Sequence, residues 1–286
     1  MLIRDADIAM YHAKKQGLGQ HRIFAPEMHL QAQSCFTLES QLQQAIANSE
    51  LQVYFQPIVH LDTGNIIGLE ALSRWFDPEK GEIPAAEFIT LAEQAGLIVS
   101  LGRQVLERAI SEFSQWQQAD PRRHALTLGV NLSPQQLVDP EFVKDITHAL
   151  SKANLAPQQL HLEITETTMI RNLEATLAVA EQLQQLGVAL TIDDFGTGYS
   201  SLSRLHQLPI YALKIDRSFV VNLGHTAAAA EIIGAVVALG KSLNLGVVAE
   251  GVETPAQAEQ LLALGCCCGQ GYAFYPPMPL GDIPQV

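Results

Sequence analysis

The sequence predicts an α/β fold, a closed barrel of about eight strands with helices between most of them. Three observations carry this. From residue 51 onward, apolar runs of strand length alternate with segments of helical periodicity. The strands number about eight over roughly 230 residues, which suits a closed barrel better than an open sheet. Acidic residues and an asparagine fall at the C-terminal ends of separate strands, where barrels of this kind place their chemistry.

The elements follow in order. Ile8, Ala9, Met10, Tyr11 and Ala13 suit a short helix ended by Gly17 and Gly19, and 21–24 suits one short strand. Residues 1–28 are too few to fold alone and read as the end of a preceding domain. A linker over 29–37 leads into a helix over about 36–48, with Leu38, Leu42, Ala45 and Ile46 at helical spacing. Strands at 51–60 and 66–75 flank the turn Asp62-Thr63-Gly64-Asn65, so the first barrel strand is expected to run antiparallel to its neighbour. Helices are predicted at 85–94 and 99–118, a strand at 126–131, and helices near 134–138 and 141–153. A strand at 160–164 precedes a helix at 173–186, which Gly187 ends. The remainder reads as strand 188–193, short helix 200–207, strand 212–216, helix 226–243, strand 245–250, helix 255–264 and a last short strand 266–269.

Composition narrows the function. Hydrophobic residues make up 48% of 286 residues, enough for a sizeable core. The net charge of −13 makes the chain a poor nonspecific ligand for duplex nucleic acid. No apolar run approaches the ~20 residues of a membrane span, and no signal peptide opens the chain. Cys35 and the run Cys266, Cys267, Cys268 form neither a disulfide framework nor zinc spacing, which points to a reducing, cytoplasmic setting.

The strand ends carry the chemistry. Glu70 lies in GLEALSRW, Asn131 ends LTLGVN, Glu163 ends LHLE, Asp193 and Asp194 end VALTIDD, Lys214 and Asp216 close ALKID, and Glu250 ends GVVAE. With a period of two, Gly68, Glu70, Leu72 and Arg74 share a face, as do Ala212, Lys214 and Asp216; Leu213 and Ile215 face the helices. Clustered carboxylates must be neutralised, and oxygen-only donors favour Mg²⁺ or Mn²⁺ over zinc. His161 and His206 read as ordinary polar residues. Adjacent aspartates can hold two ions, and two ions can clamp the attacking and leaving oxygens of an in-line phosphoryl displacement. Lys214 would orient the water or offset phosphate charge. Gly196 and Gly198 let the chain turn sharply after Asp194.

The stretches EALSR, VNLS, LEITET, TIDDFGTGYSSL, LKIDRSFV, VVAEGVET and QGYAFYPPMP together resemble the EAL-domain phosphodiesterases, in the family's order, from about Leu38 to Pro279. The resemblance implies a modified TIM (β/α)8 barrel with an antiparallel first strand. It also implies hydrolysis of cyclic di-GMP to linear pGpG with two Mg²⁺ or Mn²⁺ ions per active site. Glu70, Asn131, Glu163 and Asp193 match the ligands of one metal, and Asp193 and Asp194 those of the second. Lys214 matches a water-positioning lysine and Glu250 a glutamate of base or metal-linked duty. Gln56 in YFQP, Arg74, Asp216 and Gln270 match substrate contacts. Glu166 matches a glutamate that anchors the loop after the double aspartate, and Glu253 a second, structural anchor. The family's habit of homodimerising implies contacts from 195–206. ADIAMYHAKKQGLGQHRIF is similar to the last helix and strand of GGDEF (diguanylate cyclase) domains, although the GGDEF signature is absent. The implied organisation is a GGDEF remnant over 1–28, a linker over 29–37 and an EAL domain over 38–286, with any membrane tether upstream. Two other readings remain open: a catalytically silent cyclic di-GMP-binding regulatory module, and a barrel phosphodiesterase for another phosphodiester.

Overall fold

In the computed structural model, which describes residues 9–10, 21, 23–171, 173–198, 205 and 207–284, a long helix leads into the barrel. Pro26 opens it, since proline fits the first helical turn, and α1 runs unbroken over Pro26–Ala47. The expected linker is therefore helical and continuous with the segment after it. The end of α1 packs on the barrel through buried Leu38, Leu42 and Ala45. Ala9 and Met10 are helical, while the rest of that predicted helix lies outside the described residues. The strand expected over 21–24 does not form at His21, Ile23 or Phe24.

The barrel begins with a hairpin. Strand β1 (Gln52–His60) pairs antiparallel with β2 (Ile66–Asp77), and β2 extends into a second hairpin with the short β3 (Gly81–Ile83). The helices α2 (Ala85–Gln94) and α3 (Ile98–Gln118) lead to β4 (Thr127–Asn131). Two helices follow, α4 (Pro134–Leu137), opened by a capping box on Ser133, and α5 (Phe142–Ala153), closed by left-handed Asn154. Next come β5 (Leu160–Thr165), α6 (Glu166–Arg171), α7 (Leu173–Leu186) and β6 (Ala189–Phe195). The last third holds β7 (Ile210–Ile215), α8 (Arg217–Val221), α9 (Ala227–Leu243), β8 (Gly246–Ala249), α10 (Pro255–Ala263) and β9 (Cys268–Gly269). The sequence missed β3, α6 and α8, all too short to show a period. The short helix predicted over 200–207 falls largely outside the described residues.

The strands close in the order β1-β9-β8-β7-β6-β5-β4-β2, with β2 returning to β1 and β3 hanging outside. From β2 through β9 the barrel pairings are parallel, and β1 is antiparallel to both of its neighbours. This is the barrel with a reversed first strand that the opening hairpin predicts. Leu69, Leu128, Val130, Leu162, Ile164, Leu190, Ile192, Leu213 and Ile215 form one core with Phe88, Ile110, Phe113, Ile146, Leu183 and Ile233 of the helices. Each fully buried side chain of that size contributes about 1.5–3 kcal/mol relative to exposure. The alternate residues of the same strands are left for the barrel axis, and these carry the charges.

Candidate active site

Register brings the predicted residues to one level. Glu70 stands across from Gln56 on β1 and Gly129 on β4, and Asn131 stands beside Glu163 on β5. Lys214 on β7 neighbours Val248, so Glu250 emerges one step above the end of β8. Adjacent residues of a regular strand face opposite ways, which would part Asp193 from Asp194. The pairing of β6 with β7 slips between Ile192 and Phe195, and Asp194 takes a left-handed φ of 53°. This bulge lets both aspartates reach the mouth, and Asp193 accepts the Asp194 backbone N–H at 2.9 Å.

Lys214 is the hub. Its Nζ lies 2.6 Å from Glu163, 2.6 Å from Glu250, 2.9 Å from Glu70 and 3.7 Å from Asp193, and the residue is 1% exposed. Asn131 donates to Glu70 at 2.7 Å, and the Gln270 amide donates to Glu70 and to Glu250. The remaining polar atom of that amide, Oε1, is buried with no hydrogen-bond partner among the described residues. Asp193, Asp194 and Glu250 each offer an oxygen within 4.8 Å of the other two.

The electrostatics follow from burial and crowding. Burial works against charge on Glu70, but Lys214 and the bonds from Gln270 and Asn131 hold its pKa below the usual value. Burial, with Glu70 and Asp193 nearby, pushes Glu163 up despite Lys214. Burial also raises Asp193, lifts Asp194 to about 6 with help from Asp193 and Asp216, and lifts Glu250 to about 8. Lys214 would be lowered by burial alone, yet Glu163, Glu250 and Glu70 keep it raised. Five carboxylates thus crowd around a single described ammonium, and most resist ionising for want of positive charge. Carboxylate and amide oxygens in this arrangement fit a hard divalent cation such as Mg²⁺ or Mn²⁺.

Beside the cluster opens a cavity of about 670 Å³, lined by Leu72, Arg74, Asn131, Pro134, Thr165 and Thr168 among others. Arg74 is fixed by Glu82 at 3.2 Å and lies over the Tyr54 ring at 5.5 Å. Gln56, 8% exposed, donates to the Tyr275 carbonyl. Asp216, expected as a substrate contact, caps α8 by accepting from the Ser218 backbone, and it adjoins Asp194. Glu166 accepts from the backbone of Gly196 and Gly198, while exposed Glu253 pairs with Arg217 at 2.6 Å. His161 makes no bond to the cluster; burial pushes it down to about 4, and its ring lies 4.6 Å from that of Tyr211. The sequence reading missed Gly129. A Cβ there would run into the Glu163 carboxylate, so glycine makes the space in which that group sits. A lone glycine inside a β-strand is the signal that could have found it.

Fold and site together define a class: an α/β barrel with a reversed first strand and a cation-attracting, carboxylate-lined mouth. The chain belongs to the EAL domain family, whose profile matches residues 39–277. The bifunctional diguanylate cyclase/cyclic di-GMP phosphodiesterase MucR of Pseudomonas aeruginosa is 44% identical over 99% of this chain and 41% of its own length. The cyclic di-GMP phosphodiesterase PdeR of Escherichia coli is 39% identical over 97% of this chain and 42% of its own length. The chain therefore spans well under half of these curated relatives. The solved PaMucR phosphodiesterase in complex with c-di-GMP superposes with a TM-score of 0.81 at 44% identity, covering 85% of this chain and 98% of that one. Among the described residues, no helix is long and apolar enough to cross a membrane.

Proposed function

We propose that this chain is a cyclic di-GMP phosphodiesterase that produces linear pGpG in a reaction requiring Mg²⁺ or Mn²⁺, two ions per site. The observation that carries this reading is the convergence of Glu70, Glu163, Asp193, Asp194 and Glu250 on one mouth beside the Arg74 cavity. Named relatives that act on cyclic di-GMP support the choice of substrate.

Bound cations would neutralise the carboxylates, attract the phosphodiester and activate water. Glu70, Asn131, Glu163 and Asp193 would hold one ion, and Asp193 with Asp194 the other. With its N–H on Glu70, Asn131 has its amide oxygen left to offer. Water adds to one phosphorus, the bond to the 3′-oxygen breaks, and that oxygen leaves with a proton. Glu250, 2.6 Å from Lys214 and grouped with Asp193 and Asp194, is assigned base or metal-linked duty at the mouth. Lys214 offsets phosphate charge and orients the attacking water. Gln56, Arg74, Asp216 and Gln270 are assigned to the nucleotide. Residues 1–28 are assigned to the end of a GGDEF domain, and 195–206 to a homodimer contact.

Incubation with cyclic di-GMP and either metal, followed by chromatography, is expected to give pGpG, and chelator is expected to stop it. No product would refute the reading. Tight binding without turnover in saturating metal would instead support the silent regulatory module. Faster turnover of pGpG or bis-p-nitrophenyl phosphate would reassign the substrate.

A further inference from the structure

The position of Lys214 has a consequence beyond its part in the reaction. An ammonium has three N–H donors and can satisfy three acceptors at once. Here Glu163, Glu250 and Glu70 supply three oxygens within 2.9 Å of Nζ, from three different strands or strand ends, with Asp193 behind them. These are largely the carboxylates that would hold a divalent cation. Mg²⁺ needs such oxygens at about 2.0–2.1 Å in near-octahedral order. An ammonium and a divalent ion cannot share the centre of one buried oxygen cage, because like charges a few ångströms apart repel strongly where water is scarce.

We propose that Lys214 is a built-in counter-ion that holds the metal-free cluster together and is displaced when the first cation binds. Metal uptake is then an exchange of one positive charge for another. The exchange acts as an interlock: in the metal-free protein the ammonium is occupied by Glu163, Glu250 and Glu70, and loading the metal releases it toward water and phosphate. The inference rests on reading the cluster as a cation site and adds to that reading the cost of displacing a resident charge.

The test is Mn²⁺ binding, followed by calorimetry on the wild type and on Lys214→Met, whose unbranched apolar side chain roughly keeps the volume. The variant is expected to bind Mn²⁺ at least tenfold more tightly. Its melting temperature should fall without metal and recover more than the wild type's when Mn²⁺ is added. Equal or weaker binding by the variant overturns the proposal while leaving the cation site intact. If the wild type binds no Mn²⁺, the cation-site reading fails and the proposal fails with it. A second measurement needs no variant. In lysine-labelled wild type, the Lys214 Cε resonance should move with saturation by diamagnetic Mg²⁺; a resonance unmoved at saturation overturns the exchange.

Discussion

The carboxylate of Glu166, at the start of α6, accepts the backbone N–H of Gly196 at 2.8 Å, and the same oxygen accepts that of Gly198 at 3.2 Å. One buried side chain thus fixes the turn that follows the two aspartates. Glu166→Ala leaves both N–H groups without that acceptor, at about 1–3 kcal/mol for a buried group. The expected outcome is at least a tenfold fall in pGpG formation with the folded circular dichroism spectrum retained. Gly198→Ala should act in the same direction, since its Cβ would stand 2.8 Å from Glu166 Oε1. Full activity in both variants would show that the turn does not need this anchor.

Gly129→Ala is expected to be disabling although it adds one methyl group at a residue that is itself no predicted ligand. The methyl would force Glu163 aside, and with it one of the close partners of Lys214. Turnover should drop by about two orders of magnitude, as misplacement of a catalytic arrangement by about 1 Å can do. Mn²⁺ affinity should fall with it. Wild-type kinetics in this variant would mean that Glu163 has room the geometry does not show.

The loop opening α10 supplies a contrasting case. Thr254 and Gln257 form a capping box, the Thr254 side chain accepting from the Gln257 backbone and the Gln257 side chain from that of Thr254. Thr254→Ala should cost about 1 kcal/mol. The melting temperature should drop by about 2–4 °C, with pGpG formation unchanged. A loss of activity at full stability would place this loop in the chemistry instead.

The cysteine run makes a prediction about pH. Burial pushes the Cys266 thiol up to about 12 from its ordinary 9.0, while Cys267 is exposed. Thiol reagents at pH 8 should therefore label Cys267 well before Cys266. From about 9 to about 12 the unfolded chain sheds a proton that the folded chain keeps, so stability falls as pH rises through that window. Cys266→Ala should flatten this part of the urea-midpoint profile, and an unchanged slope would remove Cys266 as its cause.

Much of the site was legible because barrels put their chemistry at strand ends and strands alternate by two. Glu70, Asn131, Glu163, Lys214 and Glu250 needed only that arithmetic, and each stands where the register brings it to the mouth. The bulge was not legible. Period two alone separates Asp193 from Asp194, and only a slip in pairing with a left-handed Asp194 reunites them. Nor could the sequence show that Lys214 meets several carboxylates at once, since that depends on closure of the sheet. The unbroken α1 escaped because 26–35 offers only Met28 and Leu30 as large apolar residues, too few for a periodic signal, and β3 because three residues show no alternation.

The reversed direction of β1 decides where the chain comes in. A strand running with its neighbours would start at the floor of the barrel, but Gln52, the first residue of β1, lies opposite Arg74, near the mouth. The last turn of α1 is fastened just before this point, where Gln104 donates to the Ile46 carbonyl and Arg108 to that of Leu51. The end of α1 thereby joins the barrel on the side of its mouth, next to the start of the strand that faces Arg74, and not at its floor.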